Sequence, residues 1–184
     1  MKHKKIFLIA FGLLVLLQLT VPLQMIWNRE KVLQDGIAVK FKMAPVDPSD
    51  PFRGRYINLN YDNSLTRYLS REKWNSGESG FVYFKVNKEG FARIDTVTKD
   101  KIPGNHLFIK AKIYPVNYEK GIIRIEYPLN RFYMEESKAP RAEKAYREQT
   151  GNDSLPAYAL IKILDGDAVI QDVIVGQYSV LELP

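Results

Sequence analysis

Apolar positions follow two regimes along this chain. From Ile6 to Trp27 they run almost unbroken, with Gln18, Thr20 and Gln24 as polar interruptions and no charge. At 1.5 Å per residue, about 22 residues make a helix of roughly 33 Å, enough to cross a hydrocarbon core of about 30 Å. Pro22 falls late in the run, where a lost backbone donor is tolerated, and Trp27 falls where an aromatic ring meets the lipid–water boundary. Beyond residue 36 the pattern changes to alternation with period two, the mark of half-buried strands.

The alternation predicts a succession of strands. Ile37, Val39, Phe41 and Met43 share one face of the first, over residues 37–43. A turn follows over 45–54, rich in proline and aspartate. A second strand covers 55–61, with Ile57, Leu59 and Tyr61 on one face and Tyr56, Asn58 and Asn60 on the other. Residues 64–74 fit either a short helix or an irregular bridge. Residues 81–86 and 91–97 alternate around Asn87-Lys88-Glu89-Gly90, a hairpin signal. Strands are expected at 107–114 and 122–127, ended by Pro115 and Pro128. One surface helix is expected at 138–149, from Pro140 in its first turn and the i,i+4 pairs Glu143/Arg147 and Lys144/Glu148. A last hairpin, 157–164 and 168–175, turns at Asp165-Gly166-Asp167. About eight strands and one helix predict a mainly β fold, a sandwich or barrel-like domain, preceded by an N-terminal transmembrane helix.

This divides the chain into an n-region (1–5), an anchor (6–27), a polar tether (28–35) and a β-rich domain (36–184). Lys2, Lys4 and Lys5 precede the anchor, whereas Arg29-Glu30-Lys31 after it is mixed in sign. By the positive-inside rule the N-terminus is cytoplasmic and the domain lies across the inner (cytoplasmic) membrane, in the periplasm. A cleaved signal peptide is the competing reading, but its apolar stretch is shorter and ends in small residues. Here the run ends Gln24-Met25-Ile26-Trp27.

Composition narrows the chemistry. The chain has no cysteine, which excludes disulfides, thiol nucleophiles and lipoprotein acylation. About half of the net charge of +6 comes from the three lysines ahead of the anchor. Charges in the domain are interspersed, with no basic stripe for nucleic acid.

Asp47-Pro48-Ser49-Asp50-Pro51-Phe52-Arg53-Gly54-Arg55-Tyr56-Ile57-Asn58-Leu59-Asn60-Tyr61 resembles the signature of the bacterial GDYXXLXY family. Gly54, Tyr56, Leu59 and Tyr61 match the string, and Pro45-Val46-Asp47-Pro48-Ser49-Asp50 matches the turn that precedes it. Arg55 stands where the family has aspartate, so no carboxylate role carries over there. The 81–97 hairpin, the strand at Leu107-Phe108-Ile109-Lys110 and the run 131–136 extend the likeness more loosely. The resemblance implies an exported or membrane-anchored protein without an assigned activity, often encoded beside multi-spanning membrane proteins.

Read physically, the signature is a turn feeding a strand: Gly54 permits the bend, Leu59 and Tyr61 enter the core, and Tyr56 faces the other way. Asp47, Asp50, Arg53, Gly54, Arg55, Tyr56, Leu59 and Tyr61 form the candidate ligand- or partner-binding segment. Other chemistry is thinner. Asp47, Asp50 and Asp62 fall short of the six or so oxygens that calcium needs. His106 is the one histidine in the domain, and no Gly-x-Ser-x-Gly string accompanies it. Glu135 and Glu136 are adjacent and diverge. Tyr56, Tyr68, Trp74, Tyr118, Tyr133 and Tyr146 are expected on loops or outward faces, where aromatics favour interfaces. The expected function is a membrane-anchored binding or assembly module, without cofactor, partnering a neighbouring integral membrane protein. The alternatives are an envelope hydrolase, built on Asp47, Asp50, His106 or Glu135, and a sugar- or peptide-binding domain.

Overall fold

The structure is a computed structural model that describes residues 2–44, 56–67, 72–133, 135 and 157–182. It opens with one continuous helix, α1 (Lys2–Asp35), with Pro22 inside it. Its apolar stretch is exposed, Trp27 by 73%. Among the described residues it is the one helix long and apolar enough to cross a membrane.

The expected tether at 28–35 is helical instead. Asn28 to Asp35 contains good helix formers, and the Gln34 amide bonds Glu30 one turn back at 2.8 Å. Tertiary contacts fix the rest. Val32 is 4% exposed, and Arg29 donates to the Ala168 carbonyl at 2.9 Å. The helix stops at Gly36, whose amide bonds the Val32 carbonyl at 3.0 Å. A side chain at Gly36 would meet the Ile163 backbone at 3.1 Å, so the chain turns there into its first strand.

All strand pairs among the described residues are antiparallel. One sheet joins β1 (Ile37–Lys42), β9 (Tyr158–Leu164), β10 (Asp167–Val175) and β11 (Tyr178–Ser179), in the order β1-β9-β10-β11. The other joins β3 (Leu65–Arg67), β4 (Glu78–Val86), β5 (Ala92–Thr98), β6 (Phe108–Asn117) and β7 (Ile122–Glu126), in the order β3-β7-β6-β4-β5. A two-stranded ribbon pairs β2 (Tyr56–Asn58) with β8 (Arg131–Tyr133). The domain is mainly β, as the alternation predicts, and its two sheets share one core. Isolated bridges between Lys40 and Phe91 and between Ile109 and Gly166 join the two sheets, and the five-stranded sheet is curled into a half-barrel.

Both hairpins form. Asp165 and Gly166 have φ of 49° and 88°, the left-handed pair that a two-residue turn needs to match strand twist. The first strand buries Val39, Phe41 and Met43, whereas Ile37 at its start is exposed. Pro115 does not end its strand: β6 runs through it, with a register shift between Pro115 and Asn117. A bulge is where proline's missing N–H is tolerated inside a sheet. In the ambiguous stretch, a 3-10 turn (Asp62–Ser64) leads into β3, and Trp74 lies in the core at 2% exposure. The helix expected at 138–149 and the turn at 45–54 lie outside the described residues.

An ionic clasp holds the start of β4. Lys99 Nζ contacts both Glu78 carboxylate oxygens at 2.8 and 2.9 Å, and the Asn75 amide donates to Glu78 at 2.8 Å. The Asn75 backbone bond, then the Lys99 bond, hold the Glu78 carboxyl below its ordinary pKa. A lowered folded-state pKa contributes stability above the unfolded-state pKa, and this is lost as pH falls through the folded value. Stability therefore declines as pH falls below the ordinary glutamate pKa. Glu78→Gln is expected to flatten that part of the decline, measured by denaturant midpoints across the acid range.

Candidate functional site

The signature segment joins the two-stranded ribbon to the end of β1. On one side β2 pairs with β8, Tyr56 opposite Tyr133 and Asn58 opposite Arg131, and the Leu59 amide bonds the Asn130 carbonyl at 2.9 Å. On the other side Tyr61 bridges Met43, and the Ala44 amide bonds the Asn60 carbonyl at 2.9 Å. Residues 56–61 thus carry neighbours on both edges.

Leu59 and Tyr61 are buried, as the alternation predicts, at 5% and 3% exposure. The Tyr61 ring meets Phe41 and Tyr127 edge-on, with centroids 5.6 and 5.8 Å away, and Phe84 completes the cluster against Phe41. The Tyr61 hydroxyl donates to the Leu129 carbonyl, just ahead of β8. Tyr127 donates to the Asn63 carbonyl at 3.3 Å, and burial raises its phenol pKa. Leu59 and Tyr61 therefore hold the segment in register from inside the core. The side chain of Tyr56 and all of Asp47, Asp50, Arg53, Gly54 and Arg55 lie outside the described residues, as do Tyr68 and Tyr146.

Immediately after Tyr61 the chain enters a groove of about 550 Å³. Lys42 of β1, Asp62 and Asn63 of the 3-10 turn and Thr66 of β3 line one side; Asn87, Glu89 and Phe91 to Ile94, in the β4–β5 turn and β5, line the other. Lys42 and Asp62 form an ion pair across its rim at 3.5 Å, with both side chains about half exposed. The Asn63 side-chain oxygen is shielded from solvent and has no hydrogen-bond donor. This groove is the seam of the half-barrel, between the two terminal strands of the five-stranded sheet. A second, smaller depression of about 360 Å³, edged by Phe81, Lys110, Lys112 and Glu126, lies across strands that are already paired.

The acid–base candidates do not converge among the described residues. His106 is exposed, with Nε2 3.2 Å from the Pro103 carbonyl and its ring edge-on to Tyr83. Glu135 is exposed, and Asp62 is committed to Lys42. No group of three histidine, aspartate or glutamate side chains is placed to hold a metal ion among the described residues, and no polar side chain there is fully buried.

Of the expected surface aromatics, Tyr118 and Tyr133 are 68% and 64% exposed. Trp74 is the correction. It packs over Gly80, where an added Cβ would lie 2.6 Å from its ring, and the Tyr118 hydroxyl holds its carbonyl at 2.7 Å. With so few apolar residues in 72–77, this indole is what that stretch buries. Sequence reasoning missed Tyr178, exposed by 63%, and the groove residues Lys42, Asn63, Thr66 and Arg93. A signal existed for β5: Arg93 and Asp95 are charges on alternate exposed positions, with Lys85 opposite Arg93 on β4, a pattern common at sheet edges.

No curated protein and no solved structure matches the chain. The family model described as GDYXXLXY protein matches residues 18–173, from within the apolar helix to the penultimate part of β10. That match takes in the signature strand, the groove, both hairpins and the docked end of α1, and the chain belongs to the GDYXXLXY family.

Proposed function

We propose that this protein is a membrane-anchored binding or assembly module, held on the extracytoplasmic side of the inner membrane and engaging a neighbouring integral membrane protein. The observation that carries the reading is the continuity of α1. The apolar stretch and the docked stretch are one helix, and Arg29, two residues beyond Trp27, already bonds Ala168 in the domain. At 1.5 Å per residue, that contact starts about 3 Å past the boundary position. A swinging tether would leave the domain free to tumble, whereas a docked helix gives it one attitude to the bilayer, which suits a partner embedded in the same membrane. Among the described residues the hydrolase candidates His106 and Glu135 are each exposed, which favours binding over hydrolysis.

Docking predicts its own test. Val32→Asp places a carboxylate in an apolar contact worth about 1.5–3 kcal/mol, and the last turns of α1 are expected to lift off the sheet. Spin labels on the helix and on β10 would then show a broadened distance distribution, while the domain stays folded; an unchanged narrow distribution would exclude the docking described.

For the partner, photo-cross-linking residues at Tyr118, Tyr133 and Tyr178 in native membranes are expected to capture one integral membrane protein reproducibly from at least one position. Absence of cross-links at all three, with a solitary full-length protein after mild solubilisation, would overturn the reading.

A further inference from the structure

We propose that the seam between β3 and β5 accepts an extended peptide segment of a partner protein as an added β-strand. This deepens the binding-module reading, on which it rests, by naming how the partner is held.

The two strands flanking the seam are the terminal strands of the five-stranded sheet, β3 and β5. β1 covers only the beginning of β5: the Lys40 amide bonds the Gly90 carbonyl at 2.9 Å and Lys40 bridges Phe91. It then leaves β5, for Met43 bridges Tyr61 and the Ala44 amide bonds Asn60. The hairpin register fixes which backbone groups are left over. The Asn87 amide bonds the Phe91 carbonyl at 3.0 Å, so Asn87 and Phe91 are a hydrogen-bonded pair. Antiparallel pairs alternate in type, so Lys85–Arg93 is bonded, whereas Val86–Ala92 and Phe84–Ile94 are not. Residues of an unbonded pair point their own N–H and C=O away from each other. Phe84 confirms the phase, since its amide turns to the Leu107 carbonyl on the far side, at 2.9 Å. Ile94 therefore directs its N–H and C=O into the seam, beyond the end of the β1 bridge, with no strand beside it among the described residues.

The groove is built for such a guest. Its volume of about 550 Å³ falls among ligand pockets, which span about 300–1,000 Å³. Half-buried Phe91 and Ile94 and buried Ala92 supply an apolar wall for alternate side chains. Glu89 and Arg93 stand at the rim with no ion pair among the described residues, one of each sign, which fits a segment of mixed or no net charge. Asn63 and Thr66 line the opposite wall with polar side chains. Strand addition takes affinity from main-chain bonds and selectivity from pockets for alternate side chains.

The test uses the full chain in lipid nanodiscs, panned against a random heptapeptide library. Peptides with apolar residues at alternate positions are expected to enrich. Bound peptide should slow hydrogen exchange of the Ile94 amide by about tenfold or more and leave the Lys85 amide, already paired, unchanged. Arg93→Glu, an exposed change, should shift the selected sequences toward basic residues while the fold is retained. Enriched peptides that leave Ile94 exchange unaltered, or no enrichment, would overturn the proposal. If the cross-links from Tyr118, Tyr133 or Tyr178 persist in that case, the binding-module reading survives and the seam alone is rejected. Protection of Ile94 with no membrane partner cross-linked supports the seam and rejects the membrane protein as its client.

Discussion

Tyr61→Ala is expected to destabilise the domain by about 3–5 kcal/mol, the range for removing a large aromatic from a packed core. The net stability of an ordinary domain is about 5–15 kcal/mol, so this one change removes a large share of it. Two effects add. The ring leaves a hole between Phe41 and Tyr127, which it now meets edge-on at 5.6 and 5.8 Å. The hydroxyl leaves the Leu129 carbonyl without its donor, ahead of the strand that pairs with the signature. Tyr61→Phe separates them: it keeps the ring and strands the carbonyl, at about 1–3 kcal/mol. Urea unfolding of the detergent-solubilised chain, followed through the fluorescence of buried Trp74, measures both. Equal losses for the two variants would show that the hydroxyl carries the whole contribution. No loss for either would contradict the placement of the signature in the core.

Gly166→Val is the second large effect, at about 2–5 kcal/mol. Gly166 sits at φ of 88°, where a side chain costs roughly 1–2 kcal/mol and a β-branched one more. A Cβ there would also enter the Phe108 ring, and overpacking of that kind costs about 1–3 kcal/mol. The ring has little room to retreat, since Phe81 and Tyr83 pack on it with centroids 5.7 and 5.5 Å away. The same residue joins the sheets: its carbonyl accepts the Lys110 amide at 3.1 Å. Asp165→Asn is the control. Its φ of 49° suits asparagine, so the hairpin should keep its stability in the same unfolding assay. A Gly166→Val protein as stable as the parent would refute the close approach of this turn to β6.

What was legible in the sequence follows physical locality. The anchor is a run of apolar residues and needs no tertiary information. The 165–166 turn is legible because an Asp-Gly pair between alternating strands demands left-handed backbone, which the structure has. Leu59 and Tyr61 are legible as core because period two leaves no other face for them. The misreadings come from long-range contacts. Residues 28–35 look polar, yet Val32 and Arg29 find β9 and β10 more than a hundred residues away, and those contacts extend the helix. Pro115 looks like a stop, but a bulge against β7 absorbs it. Trp74 looks exposed because its neighbours are polar, while its ring packs over Gly80 of β4, where Ile113 of the distant β6 also closes in. The groove was illegible for the same reason: a seam is made by strands that fail to pair, and sequence records only what each strand would bury.

We propose that one helix crosses the membrane and holds the β-domain against its far side. Because the chain has no cysteine, single-cysteine variants report position without background. Lys4→Cys and Tyr178→Cys, placed before the apolar stretch and on an exposed strand of the domain, would be treated in intact cells, with the outer membrane permeabilised, using a membrane-impermeant maleimide. The cysteine at 178 is expected to be labelled at once and to remain in the membrane fraction, and the cysteine at 4 to be labelled only after lysis. Labelling of position 4 from outside, protection of position 178, or release of the labelled domain into the soluble fraction would contradict it.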